Sequence, residues 1–165
     1  MGEPSRGRQI LIMSGGQTGV DRAALDAAFD LGLPVGGWCP RGRRAEDGPI
    51  DRRYPLEETP GSRWSQRTDW NVRDSDATLI CVTGAPTGGT ALTVRRATAR
   101  GKPHLVLDLR DPDAVALARS WIDSTRPARL NVAGPRESST PGIHGLARAI
   151  LREIFAPGNR QAVPS

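Results

Sequence analysis

Only two cysteines, Cys39 and Cys81, occur in the 165-residue chain, too few for a disulfide framework, and no paired Cys/His spacing of the zinc type accompanies them. Reduced, buried thiols are the expectation. Aromatic residues are scarce as well: one Tyr, two Phe and four Trp supply little surface for stacking nucleic-acid bases. No apolar run approaches the roughly 18 residues of a membrane-spanning helix, and Met1 to Gln9 is polar, without the apolar core of an export signal. A cytoplasmic protein with no membrane contact is expected. Lysine is nearly absent; Lys102 stands alone and every other basic residue is arginine. The formal charge of +5 is scattered, with no block of five like charges, so a nucleic-acid partner is disfavoured.

What the chain does have is alternation of apolar runs and amphipathic segments punctuated by glycine. Gln9 to Met13 is a short apolar run that stops at Ser14-Gly15-Gly16, the pattern of a buried strand entering a turn. Val20, Ala24, Ala27, Ala28 and Leu31 then recur at helical spacing, with Gly32 as the stop. Pro34 to Cys39 reads as a second strand, followed by a long polar stretch, Pro40 to Gly61, of the kind that is either functional or disordered. Ser62 opens a helix through Arg73, and Ala77 to Val82 is a third strand leading by way of Gly84 to Thr87-Gly88-Gly89-Thr90, which heads a helix ending at Gly101.

His104 to Asp108 is a fourth strand, and Asp111-Pro112 signals the start of a helix that ends near Ser124. Arg129 to Ala133 is the fifth strand, and Thr140-Pro141 starts a last helix with Ile143, Leu146, Ile150 and Ile154 on one face. The prediction is one domain over residues 1–165, with flexible tails at 1–8 and 157–165. Its fold class is α/β, a doubly wound parallel sheet of about five strands with helices on both faces.

In such sheets ligands bind outside the carboxyl ends of the strands, where the glycine-rich turns fall. Ser14-Gly15-Gly16-Gln17-Thr18-Gly19 lies between a strand and a helix, where free N–H groups and the helix dipole favour an anion. It is neither Gly-x-Gly-x-x-Gly nor a P-loop, so no dinucleotide or NTP follows from it. Thr18 and Asp21 have capping-box spacing, which makes Asp21 a helix-start residue rather than a catalytic acid. Thr87-Gly88-Gly89-Thr90 repeats the geometry, and Asn131 to Ser138 adds Gly134 and Arg136, an arginine able to grip an oxyanion. Arg41 and Arg43 follow Cys39 as further candidate clamps. His104 and His144 have no nucleophile beside them in sequence.

The segments Ser14 to Arg22, Gly36 to Arg43 with Ala45 to Gly48, Arg67-Thr68 with Asn71, Gly88 to Thr90 and Asn131 to Ser138 together resemble the molybdenum carrier family, also described as molybdenum cofactor carrier-like proteins. The resemblance covers most of the chain. It implies a Rossmann-like fold, a homo-oligomer, and binding of the molybdenum cofactor, a pterin with one phosphate and an oxyanion-like metal centre, with molybdoenzymes or cofactor-synthesis proteins as partners. Carried over residue by residue, the site comprises Gly15, Gly16, Gln17, Thr18, Gly19, Thr87, Gly88, Gly89 and Thr90, with Arg41, Arg43, Asn131, Gly134 and Arg136 beside them. No residue is assigned a catalytic role or a direct bond to metal.

The wider superfamily is also similar to the lonely-guy phosphoribohydrolases. Their Gly-Gly-x-Gly-Thr turn is followed three residues on by a catalytic glutamate, whereas Thr90 here is followed by Ala91, Leu92 and Thr93. A nucleotide sensor, a nucleoside-monophosphate N-glycosidic hydrolase and a nucleic-acid-binding module stay open as alternatives.

Overall fold

The computed structural model describes residues 9–157. Its elements run β1 (Leu11–Met13), α1 (Val20–Asp30), β2 (Val35–Gly36), β3 (Trp38–Cys39), β4 (Arg44–Ala45), β5 (Gly48–Pro49), β6 (Glu57–Glu58), α2 (Trp64–Asp74), β7 (Ala77–Val82), α3 (Gly88–Ala99), β8 (His104–Asp108), α4 (Ala114–Thr125), β9 (Arg129–Ala133) and α5 (Ile143–Phe155). The expected tails, Pro157 excepted, lie outside the described residues.

Five strands form a parallel sheet in the order β2-β1-β9-β7-β8, with Ile12 in register with both Val35 and Leu130 and Leu79 with Val132. The fold is therefore the expected Rossmann-like α/β sheet. From β1 the chain first moves outward to β2, later builds β7 and β8 on the other side, and returns through β9 between the two. That reversal opens a crevice at the carboxyl ends of β1, β9 and β7.

One face of the sheet is covered by α1, α4 and α5, the other by α2 and α3. Ala23, Ala24, Ala27 and Ala28 of α1 are fully buried. Side chains this small let α1 settle between Ile12, Leu130 and Val132 of the sheet and Ala147 and Leu151 of α5. This packing also selects the buried stripe of α5, which is Ile143, Ala147, Leu151 and Ile154, whereas Leu146, expected inside, is 40% exposed. Ala147 displaces Leu146 from the core because the alanine face of α1 admits only a close neighbour.

The strand expected at 34–39 is broken at Gly37, whose φ of +129° turns the chain away from β2. A Cβ there would stand 2.2 Å from the Ser14 carbonyl oxygen, so only glycine fits this crossing. Beyond it β3 leaves the main sheet and pairs with β6. The long polar stretch is consequently ordered: it holds the β4–β5 hairpin, β6, and a second small core of Leu25, Cys39, Ile50, Tyr54 and Leu56.

Two helices begin later than their proline signals suggest. The Asp111 carboxylate accepts the Asp113 N–H at 2.8 Å, closing a turn before α4 starts at Ala114. Thr140-Pro141 likewise lies in the turn ahead of α5, whose cap is Gly142 at φ +90°. The Glu137 carboxylate receives the N–H groups of Gly142 and His144, compensating the helix end that Gly142 cannot cap. Among the described residues no helix is long and apolar enough to cross a membrane.

Candidate functional site

At the crevice, three turns leave β1, β9 and β7, and their hydrogen bonding separates their roles. In the turn after β1, Ser14 Oγ donates to the Asp21 carbonyl at 2.8 Å and accepts the Gly16 N–H. The Gln17 N–H donates to Asp21 Oδ2 at 3.3 Å, the Thr18 N–H to Gln17 Oε1 at 3.0 Å, and the Val20 N–H to the Pro135 carbonyl at 3.1 Å. Gly19, at φ +76°, lets the 134–136 segment lie directly on the start of α1; a Cβ would meet the Pro135 oxygen at 2.2 Å. The 135–137 segment thus lies over the start of α1 and takes its first N–H, that of Val20. Thr18 and Asp21 do not form the expected capping box, since α1 has no side-chain cap and both groups bond elsewhere.

The α3 start is different. Thr87 occupies the cap position without a side-chain cap bond, and Gly88 and Gly89 have nothing within 4 Å of a would-be Cβ. The Thr87 carbonyl takes the N–H groups of Thr90 and Ala91, while those of Gly88 and Gly89 meet no protein acceptor among the described residues. Open N–H groups at a helix N-terminus carry partial positive charge and attract anions.

Between α3 and the other turns lies a cavity of about 170 Å³. Helix α2 also lines it, contributing Trp64, Arg67 and Asn71. Arg67 Nη1 bonds Asp21 Oδ2 at 2.7 Å, an ion pair whose side chains are 13% and 7% exposed. Burial pushes the Asp21 carboxyl above its usual range, although the Arg67 guanidinium pulls the other way. Arg67 Nε is buried without a hydrogen-bond partner among the described residues, and its guanidinium stands 5.5 Å from the centre of the Trp64 ring. Asn71 is spent on structure: Oδ1 accepts the Trp38 N–H at 2.8 Å and Nδ2 donates to the Trp38 carbonyl at 2.9 Å, tying α2 to β3.

Of the residues expected at the site, Gly15, Gln17, Thr87, Gly88, Gly89 and Thr90 line this cavity, as do Asn131, Gly134 and Arg136. Asn131 lies within β9 and Gly134 just past its end, and Gly134 is forced to be glycine by the Cys81 carbonyl 2.3 Å from its would-be Cβ. Arg136 is half-exposed, 4.0 Å from Glu46. Gly16 faces away, toward Leu56 and Ile50.

Thr18 and Gly19 line a second, wider cleft of about 800 Å³, where Thr18 Oγ1 donates to Glu46 and accepts the Glu137 N–H. There Asp26 accepts from Tyr54 Oη at 2.5 Å and lies 2.8 Å from His144 Nε2. Arg43 donates to the carbonyls of Ile50, Asp51, Tyr54 and Leu56, so it braces the long loop, and Arg41 lines neither cavity.

Sequence reasoning left Asp21, Trp64 and Arg67 out of the site. Arg67 stands among the matched segments, but 46 residues separate it from Asp21, and in an arginine-rich chain no local pattern distinguishes a buried guanidinium from a solvated one. Metal-ligand geometry gives no lead, since no group of three or more His, Cys, Asp or Glu able to hold a metal occurs among the described residues.

Comparison with known proteins agrees with the fold. The solved structure of a protein from Syntrophus aciditrophicus SB, named "Putative molybdenum carrier protein", is 46% identical, with a TM-score of 0.86 over 90% of this chain and 96% of that one. No curated protein matches. Residues 12–155 match the model of the circularly permutated YpsA SLOG family, and this chain belongs to that family.

Proposed function

We propose that the cavity binds the molybdenum cofactor, its phosphate on the open N–H groups of Gly88 and Gly89 and its oxyanion-like end toward Arg67 and Arg136, and that the protein carries or protects the cofactor. The observation that carries this reading is the contrast between the two helix starts: at α1 the 135–137 segment packs on Gly19 and takes the first N–H, while Gly88 and Gly89 at the start of α3 line a cavity that also holds two arginines. The name of the Syntrophus relative supports molybdenum as the ligand's metal. At about 170 Å³ the cavity is below the roughly 300–1,000 Å³ of ordinary ligand pockets. It encloses one part of an elongated ligand and leaves the rest outside, with Trp64 and Leu92 supplying apolar lining.

Isothermal titration with molybdenum cofactor, molybdate and nucleoside monophosphates tests the reading, alongside Gly89→Asp. An acid in the first turn suits a helix start, so this variant folds while placing negative charge where the phosphate would sit. Cofactor binding weakened by about tenfold or more in the variant is expected, the size of a lost charge-assisted contact. Equal binding by both proteins, or none by either, contradicts it.

Asp21 favours a second reading. A carboxyl pushed up by burial beside a phosphate seat is the equipment of a nucleoside-monophosphate N-glycosidic hydrolase. Release of ribose 5-phosphate from a nucleotide panel, lost in Asp21→Asn, would establish it; no release across the panel removes it.

A further inference from the structure

Gln17 is only 5% exposed, yet it is one of the residues lining the cavity. Its carboxamide orientation is fixed by hydrogen-bond logic. One terminal atom receives two backbone N–H groups, from Thr18 at 3.0 Å and from Glu46 at 2.9 Å, and only an oxygen can accept both. Thr18 and Glu46 line the second cleft and not the cavity, so Oε1 is drawn to the far side of the turn. Nε2 is left with no protein acceptor among the described residues, and it is not sealed in as a buried orphan.

From this geometry we infer that Gln17 is a specificity-determining residue of the cavity: it presents two N–H donors and no acceptor, and so selects a ligand oxygen that carries no proton, that is, an oxyanion or a carbonyl. The inference rests on the proposed function, because it takes the cavity to be the ligand site. It assigns a task to the long 40–61 loop as well. By placing the Glu46 N–H on Oε1, the loop holds the carboxamide in the one orientation that offers donors to the ligand. A free glutamine would rotate to offer either end.

Two substitutions separate recognition from simple anchoring. Gln17→Glu keeps an oxygen for the Thr18 and Glu46 N–H groups but turns a carboxylate oxygen toward the cavity. Gln17→Met keeps the length and loses both ends. Each is titrated calorimetrically with molybdate and with inorganic phosphate, and its thermal unfolding midpoint is recorded.

Recognition by the donors predicts wild type tightest, Gln17→Met weaker by about tenfold to a hundredfold, and Gln17→Glu weakest of all, because it sets an anion against an anion. If Gln17 only anchors the loop, Gln17→Glu binds like wild type, and that result overturns the inference while leaving the proposed function standing. Unchanged binding in both variants overturns it equally. Should Gln17→Met fail to fold, Gln17→Glu decides alone, since its anchor is intact. Failure of the wild type to bind either probe overturns this inference, while the proposed function stands or falls with the molybdenum cofactor titration.

Discussion

Arg67 Nη1 and Asp21 Oδ2 stand 2.7 Å apart between α2 and α1, almost sealed from solvent, and one wall of the cavity depends on that pair. Removing one partner of a buried pair leaves the other charge uncompensated, so Asp21→Ala is expected to cost about 3–5 kcal/mol of stability in chemical denaturation. Arg67→Met differs, because Asp21 can answer by taking a proton. Its carboxyl is already held above 3.8 by burial, and loss of Arg67 drives it further up. A raised folded-state pKa gives stability that is present below the unfolded value and lost as pH rises through the folded one. Arg67→Met is therefore nearest to wild type below pH 3.8 and falls behind as pH rises, which denaturant midpoints across pH would show.

Gly15 is where that guanidinium rests. A Cβ on Gly15 would lie 1.5 Å from Arg67 Nη1, with the end of a flexible side chain as the colliding atom. Gly15→Ala should displace Arg67 and loosen the pair, costing about 1–3 kcal/mol as overpacking does. Gly89→Ala, with open space around it, should leave stability within about 0.5 kcal/mol. Thermal melts of the two variants compare them directly.

Asn71 substitutes for a strand partner, meeting both the N–H and the carbonyl of Trp38 from a helix. Asn71→Leu strips two polar groups of their partners at a buried point, and a loss of about 2–4 kcal/mol is expected. Faster hydrogen exchange at Trp38 and Cys39, with the sheet strands β7 and β9 unchanged, would localise the damage to the β3 junction.

Glu46 bridges the long loop, the first turn and the 134–139 segment. Bonds from Ser138 and Thr18 hold its carboxyl below the usual 4.5. A lowered folded-state pKa contributes stability above the unfolded value that disappears as pH falls through the folded one. Glu46→Gln should accordingly be less stable than wild type at neutral pH, with the difference shrinking below pH 4.5 in acid-unfolding curves.

The strand–helix order, the sheet class and the glycine turns were legible because each rests on local chemistry: β-branched and apolar runs such as Ala77 to Val82, and glycines where the backbone must turn. Positive φ at Gly37 and the late starts of α4 and α5 were not, since they depend on what the turn meets in space. Glycines 15, 88 and 89 could be read as site residues from sequence, but not which helix start stays open. That was decided by Pro135, which is 115 residues from the Val20 N–H it caps. The same limit hid Arg67 and Asp21, and it gave Arg43 the look of a ligand clamp when its donors are consumed by four loop carbonyls.

The most direct measurement is a crystal structure of the protein with molybdenum cofactor, with an anomalous difference map at the molybdenum edge. A molybdenum peak within the cavity between Gln17, Arg67 and Arg136 is expected, with phosphate density on the N–H groups of Gly88 and Gly89. A peak in the cleft beside His144, or phosphate bound anywhere but at the start of α3, would contradict it.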